Sequence, residues 1–394
     1  MLKRTLSLPT TILYGLGTII GAGIYVLIGK VVATAGSYTP YSFLISGVIA
    51  LFTALSYAEL CSRYPRAAGA AIYIKEAWHK KPLTHLVGIL LILTAIVSSG
   101  TLAHGFAGYA SSFIDLPEIL IAVSVLILLG ALACWGIEES ATLIVIVTIL
   151  EIFGLIYVCF VASYNMPTDI IQIKTTETFS LTSIFLGSFL AFYAFIGFED
   201  MANLVEEVKE PKRNMPLAIT LSVIAAITIY MIIALVIIKS VPLNIIAGSK
   251  APLADLIKAT GRSPLIITAI SLIAVINGIL VQIIMASRVI YGLAKENYFP
   301  KKLAQVNSKT KTPIYATTIV TIAIIIAVTS LDLLTLAKST SFIVLTIFIL
   351  VNLSLIKIKL NPKTPNTTST CYHITIPILG LLTSTALLLA ELIY

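Results

Sequence analysis

Three places in the sequence hold residues whose chemistry is out of keeping with their surroundings. Glu151 stands in ATLIVIVTILEIFGLIYVCFVAS without another Asp, Glu, Lys or Arg in that stretch. A carboxyl group in such a segment either faces a polar partner inside a helix bundle or takes up a proton. Glu199 and Asp200 follow directly on FYAFIGF, at the end of another apolar run. The third place has no ionisable group. GLGTIIGAGIYVLIG carries Gly15, Gly17, Gly21, Gly23 and Gly29, and glycine weakens a helix by about 1 kcal/mol relative to alanine. A break at Gly21-Ala22-Gly23 would free backbone N–H groups to meet an anion. The same glycines also suit close packing of one helix on another.

Other chemistries find no footing. The histidines at 79, 85, 104 and 373 are isolated, and neither an HExxH helix nor a GxxxxGK[ST] loop occurs. The cysteines at 61, 134, 159 and 371 have neither metal-site nor disulfide-framework spacing. The reading is therefore of a non-enzyme, with no metal, cofactor or ATP site. A channel would need a hydrophilic stripe or repeated filter carbonyls, which are not evident.

The elements that hold these residues follow from composition. Of the 394 residues, 58% are apolar and 11% charged, against roughly 25% charged in soluble domains. That excludes an ordinary soluble enzyme, a nucleic-acid binder and a disordered chain, and leaves an all-α polytopic membrane protein. Apolar stretches of membrane-crossing length predict about eleven spans, at 8–35, 40–62, 84–113, 118–136, 140–163, 181–205, 215–239, 263–292, 313–330, 333–357 and 374–393. The first is read as a span and not as a cleaved signal peptide. A short external helix is expected at 252–262, ended by Gly261. The net charge of +8 reflects orientation. With a cytoplasmic N-terminus, most Lys and Arg fall in the inner connectors, which places the C-terminus outside and the protein in the cell membrane.

The sixth span reaches Glu199-Asp200 well inside its length, yet MANLV continues a helical apolar pattern after them. An interruption near Ile196-Gly197, with the acids at the start of the resumed helix where the dipole favours them, accounts for both. A helix that simply ends at Gly197 is the alternative. Interrupted spans at matching positions of two halves are the sequence mark of an inverted-repeat transporter. The expected division is 1–163 and 181–357 as the two repeats, with 358–394 as a cytoplasmic linker and a peripheral last span.

GLGTIIGAGIYVLIG, YAELCSRYPRAAGAAIYIKEAW, FYAFIGFEDMANLVEEVKEPKRNMPLAI and YGLAKENYFP together resemble the amino acid–polyamine–organocation (APC) superfamily of transporters, closely over about residues 8–312. Many members have twelve spans, one more than expected here. The resemblance implies the LeuT-like 5+5 inverted-repeat fold with discontinuous spans 1 and 6. It implies an amino acid substrate, whose carboxylate meets backbone N–H groups at Gly21, Ala22 and Gly23, with Ile19 and Ile20 preceding them. The ammonium group would meet carbonyls near Tyr193, Ala194, Ile196 and Gly197. Tyr193 falls at the family's aromatic gate, with Phe192 and Phe195 as alternatives. Glu151 occupies the place where some proton-coupled relatives carry a lysine, and Asn277 is the polar group that span 8 offers instead of hydroxyls. These favour coupling to a proton gradient over sodium, although Glu151 also fits a structural role paired with His104 or Asn277.

Ser98, Ser99, Thr101 and His104 are the polar residues of span 3 near its middle. No acid occurs at the middle of spans 3, 8 or 10, so the lining is expected to be apolar or hydroxylic. That favours a neutral or small apolar amino acid. An ion-independent exchanger, including cationic amino acid or polyamine antiport, and an amino acid sensor remain alternatives. Glu59, Arg63, Arg66, Glu206, Glu207, Lys209 and Arg288 could close an inner gate or be ordinary interfacial charges. A monomer or homodimer in the lipid bilayer is expected.

Overall fold

A computed structural model describes residues 4–21, 23–66, 69–136, 141–164, 180–361 and 370–393. Ala22, expected at the first break, and linker residues 362–369 lie outside the described residues. The chain is a multi-pass bundle of helices. In order these are α1 (Leu8–Ile20), α2 (Gly23–Ala35), α3 (Thr39–Arg63), α4 (Gly69–Trp78), α5 (Lys81–Ala110), α6 (Glu118–Trp135) and α7 (Ala141–Tyr164). They continue as α8 (Leu181–Phe192), α9 (Pro211–Ser240), α10 (Leu243–Ala247), α11 (Pro252–Ala259) and α12 (Leu265–Lys295). The last three are α13 (Ile314–Ser330), α14 (Leu333–Leu360) and α15 (Thr375–Ile393). Among the described residues, nine helical segments are long and apolar enough to cross a membrane, and α1 and α13 are shorter apolar helices.

Each expected stretch carries helix, with ends shifted by a few residues. The third begins earlier, at Lys81, because Pro82 suits the first turn of a helix. The seventh begins at Pro211 for the same reason. The helix expected at 252–262 is the shorter α11, and Gly261 after it has φ +77°. Outward residues such as Leu128, Phe153, Ile156 and Leu382 are exposed large apolar side chains, as lipid-facing positions should be.

Both expected interruptions are present. The first span is two helices, α1 and α2, with Gly21 between them at φ 25°, ψ −144°. Such backbone favours glycine. In the sixth, α8 passes into a 3-10 turn over Tyr193–Phe195, and Ile196 is then extended. Gly197 follows at φ 127°, and residues Phe198–Leu204 form a second 3-10 segment. The resumed segment is thus wound more tightly than the α-helix expected. α1 packs on α9 and α7, α8 packs on α2 and α3, and α5 packs on α12 and α14. The interruptions therefore lie at the centre of the bundle.

Candidate functional site

The two interruptions touch. A Cβ on Gly197 would overlap the carbonyl oxygen of Thr18, and one on Gly23 would lie 2.9 Å from Ala194 Cα. No side chain fits at either crossing, so glycine sets how closely the two segments approach. The N–H groups that open α2 have no acceptor within their own helix. On the other segment the Tyr193 carbonyl accepts from the Ile196 N–H at 3.2 Å. Opposite backbone polarities therefore meet within a few ångströms, a pairing suited to a molecule that carries both a carboxylate and an ammonium group.

Beside the crossing is a cavity of about 60 Å³. Gly17, Thr18, Ile19, Gly21 and Gly23 line it from the first span, and Tyr193, Ile196, Gly197 and Asp200 from the sixth. Ser98 and Leu102 of α5, Ile144 of α7, and Asn277, Gly278, Val281 and Gln282 of α12 complete it. Ile19, Gly21, Gly23, Tyr193, Ile196, Gly197 and Asn277 thus share one lining. Ile20 and Ala194 are buried next to the cavity and do not line it.

The three aromatic candidates part ways. Tyr193 lines the cavity, and its hydroxyl lies 2.9 Å from Ser98 Oγ while donating to the Ser98 carbonyl at 3.2 Å. Phe192 packs edge-on against Phe348, and Phe195 against Tyr230. Their rings fill the core behind the crossing.

The lining corrects one expectation. The α5 side is apolar and hydroxylic, but the sixth span and α12 add Asp200, Asn277 and Gln282. Gln282 Oε1 is buried without a hydrogen-bond partner among the described residues. Position along the isolated spans did not reveal this. Asp200 faces inward because the 3-10 winding after Gly197 rotates it there, while Glu199 caps the break and accepts from the Gly197 N–H at 2.9 Å.

Glu151 is 1% exposed, and neither carboxyl oxygen has a hydrogen-bond partner among the described residues. The expected pairings with His104 and Asn277 are not made, since His104 Nε2 lies 3.0 Å from the Leu331 carbonyl. Glu151 sits behind the crossing and not in the cavity lining. Its backbone carbonyl accepts from the Tyr25 hydroxyl at 2.7 Å, and the Tyr25 carbonyl accepts from the Tyr109 hydroxyl at 2.8 Å. The hydroxyl of a third tyrosine not anticipated from sequence, Tyr230, lies within donating distance of the carbonyls of both Ile19 and Ala194.

Of the charges near the N-terminal side, Glu59 pairs with Arg63, and Arg66 lies 3.9 Å from Glu76. Arg288 is exposed. The Glu207 carbonyl and the Lys209 N–H bond the Leu6 backbone and thereby pin the chain before α1. The partner missed by sequence is Lys359, which also contacts Glu59.

Residues 6–394 match the amino acid permease family. The chain is 29% identical to the mitochondrial cationic amino acid transporter 3 of Arabidopsis thaliana over 390 residues, covering 91% of this chain and 63% of that protein. It is 27% identical over 347 residues to the vacuolar cationic amino acid transporter 4 of the same plant, covering 80% of this chain and 56% of that one. The branched-chain amino acid permease BcaP of Bacillus subtilis (strain 168) is 27% identical over 344 residues, covering 80% of this chain and 72% of the relative. The chain therefore spans less than two-thirds of the length of both plant relatives. With two helix breaks crossed at glycines beside a polar cavity, and with this match along nearly its whole length, the chain belongs to the amino acid permease family.

Proposed function

We propose that the protein is a secondary amino acid transporter of the cell membrane that works by alternating access. The crossing of the two breaks carries this reading. The N–H groups opening α2 receive the α-carboxylate, carbonyls of the Tyr193–Gly197 stretch receive the α-ammonium, and Tyr193 closes one side through Ser98. The N-terminus is cytoplasmic and the C-terminus external. The packing supports two inverted repeats, 1–163 and 181–357, because the contacts run in mirrored pairs. α1 on α9 answers α8 on α3, α1 on α7 answers α8 on α14, and α5 on α14 answers α12 on α7.

In this proposal the driving ion is the proton, loaded on Glu151. A carboxyl group with no cation or donor among the described residues is more easily housed neutral than charged. The Tyr25 hydroxyl bonds the Glu151 backbone carbonyl, and Tyr25 lies in α2, the helix that opens at the first break, so a charge on Glu151 would bear on that helix. Neutral or small apolar amino acids are the first substrate class. The second reading, an exchanger that also takes cationic amino acids, is favoured by Asp200 and Gln282 in the lining.

Purified protein in liposomes tests both. Labelled leucine and labelled lysine are followed in counterflow and in uptake driven by an imposed pH gradient. Glu151→Gln is expected to keep counterflow and lose the pH-driven component. PH-driven uptake at wild-type level in Glu151→Gln would remove the coupling role, and binding without movement of label in the wild type would mark a sensor.

A further inference from the structure

The last helix, α15, packs on the pair α3 and α14 and meets them at three places along its length. At the N-terminal side, Glu59 of α3 is 0% exposed and holds two cations. Arg63 Nη2 and Lys359 Nζ each lie 2.8 Å from Glu59 Oε1. Its other oxygen accepts from the Tyr372 N–H at 3.0 Å, and Lys359 also donates to the Tyr372 carbonyl at 2.6 Å. Arg63 and Lys359 both reach Cys371 Sγ, at 3.8 and 3.6 Å. One carboxylate therefore gathers the ends of α3 and α14 and the residues that lead into α15.

One to two turns further in, Asn352 of α14 accepts from Ser56 at 2.7 Å and donates to Thr53 at 2.9 Å, both on α3. A Cβ on Gly380 of α15 would lie 2.6 Å from its Oδ1, so the three helices meet there with no room to spare. At the far end Lys338 of α14 pairs with Glu391 of α15 at 2.6 Å.

We propose that Glu59 is a positioning residue for the transport cycle, the hub of a latch that joins α3 to α14 and α15 at the N-terminal side. This rests on the alternating-access reading: α3 packs with α8 and α9, and α9 with α1, whereas α14 packs mainly on α5 and α15, so the first group is taken to move against the second. The far pin lies wholly between α14 and α15, so it stays intact when α3 moves. The amide contacts at Asn352 lie one to two turns further in than Glu59 and Lys359 along α3 and α14. Among the described residues, the bonds that Glu59 makes beyond its own helix, to Lys359 and Tyr372, cross that boundary. The two cations sit in the last turns of α3 and α14, where the helix dipoles already favour positive charge, and Glu59 offsets their repulsion. A pair this dry is unlike an exposed ion pair. Opening must hydrate all its members together, so the latch is two-state and not gradual.

The test uses the full chain in liposomes, with labelled leucine and labelled lysine assayed separately in counterflow. In an Arg63→Cys variant a short bifunctional methanethiosulfonate joins position 63 to native Cys371. The link is expected to lower exchange at least tenfold, with recovery on reduction. The same reagent in Lys338→Cys/Glu391→Cys is expected to change exchange by less than twofold. A linked Arg63→Cys variant that exchanges within twofold of its unlinked form overturns the latch and leaves the transport reading standing. As a measurement without substitution, the rate of maleimide addition to Cys371, read by mass spectrometry, is expected to shift at least threefold with whichever amino acid is exchanged. An unchanged rate during active exchange also overturns the latch. A wild-type protein that exchanges neither label overturns the transport reading and the latch with it.

Discussion

The Tyr230 hydroxyl donates to the Ile19 carbonyl at 2.9 Å, and the same oxygen lies 2.8 Å from the Ala194 carbonyl. Tyr230 belongs to α9, Ile19 is next to last in α1, and Ala194 lies where α8 gives way to the second break. One phenol thus ties a third helix to the loose ends of both interrupted segments. Carbonyls near the end of a helix have no intrahelical partner, and in a buried setting each needs one from elsewhere.

Tyr230→Phe keeps the ring, which packs edge-on against Phe43 and Phe195, and removes only the donor. Loss of a buried hydrogen bond costs about 1–2 kcal/mol. The variant is expected to melt several degrees lower in detergent and to bind amino acid more weakly. Thermal shift with and without leucine or lysine checks both.

Gly197→Ala brings a methyl group onto the Thr18 carbonyl, at a backbone angle of φ 127° that side chains rarely adopt. Steric exclusion at a close approach and an unfavourable dihedral add, and together they exceed about 3 kcal/mol. The expected outcome is protein that is poorly folded, or folded without counterflow, measured by monodispersity on gel filtration and by exchange of label. Gly292, with open space around it, is the matching control, since Gly292→Ala should leave both unchanged.

Tyr193→Phe loses the contacts to Ser98 and keeps the ring over the cavity. Removal of this tie, worth about 1 kcal/mol, is expected to raise the substrate concentration at half-maximal exchange about fivefold with little change in melting temperature. Ser98→Ala removes only the Oγ contact and leaves the bond to the Ser98 carbonyl, so it should give a smaller shift, and adding it to Tyr193→Phe should change little further.

Asp200→Asn is expected to lower lysine exchange relative to leucine exchange by about tenfold. A carboxylate beside the cavity favours a cationic side chain by direct attraction, and a tenfold ratio is 1.4 kcal/mol of discrimination. Equal loss for both labels in competition assays would show that Asp200 serves the break and not selectivity.

At the opposite end of the molecule Asp332 caps α14, accepting from the Leu334 N–H at 3.2 Å and from the Thr335 hydroxyl. The Thr335 hydroxyl, followed by backbone N–H groups, holds its carboxyl below the usual value. Because the folded form has the lower pKa, the stabilisation is present above the unfolded value of about 3.9 and is lost as pH falls through the folded one. Asp332→Ala is expected to cost about 1 kcal/mol at neutral pH and nothing below that window, as read by melting temperature across pH.

The interruptions were legible because they break local rules. GAG inside an apolar run, and two acids after FIGF, cannot be explained by lipid-facing helix alone. Glu151 stood out for the same reason. Tyr230, Tyr25 and Gln282 were not legible, because an aromatic or amide residue in a span looks like core filling until the opposite helix is in place. Asp200 was visible as a charge, but its direction depends on 3-10 winding, which shifts each side chain by about 20° per residue relative to an α-helix. Lys359 could not be matched to Glu59 from sequence, since they are brought together only by the folding of α3 against α14.

The winding of Phe198–Leu204 has a mechanical corollary. A 3-10 segment rises about 2.0 Å per residue, against about 1.5 Å in an α-helix. Over its seven residues the difference is about 3.5 Å. Rewinding this stretch would draw the chain beyond Leu204 towards mid-membrane by nearly the thickness of one peptide unit, hauling on the Leu6–Val208 bridge and so on the foot of α1. A change of pitch in one short coil can thereby be geared to the displacement of another helix.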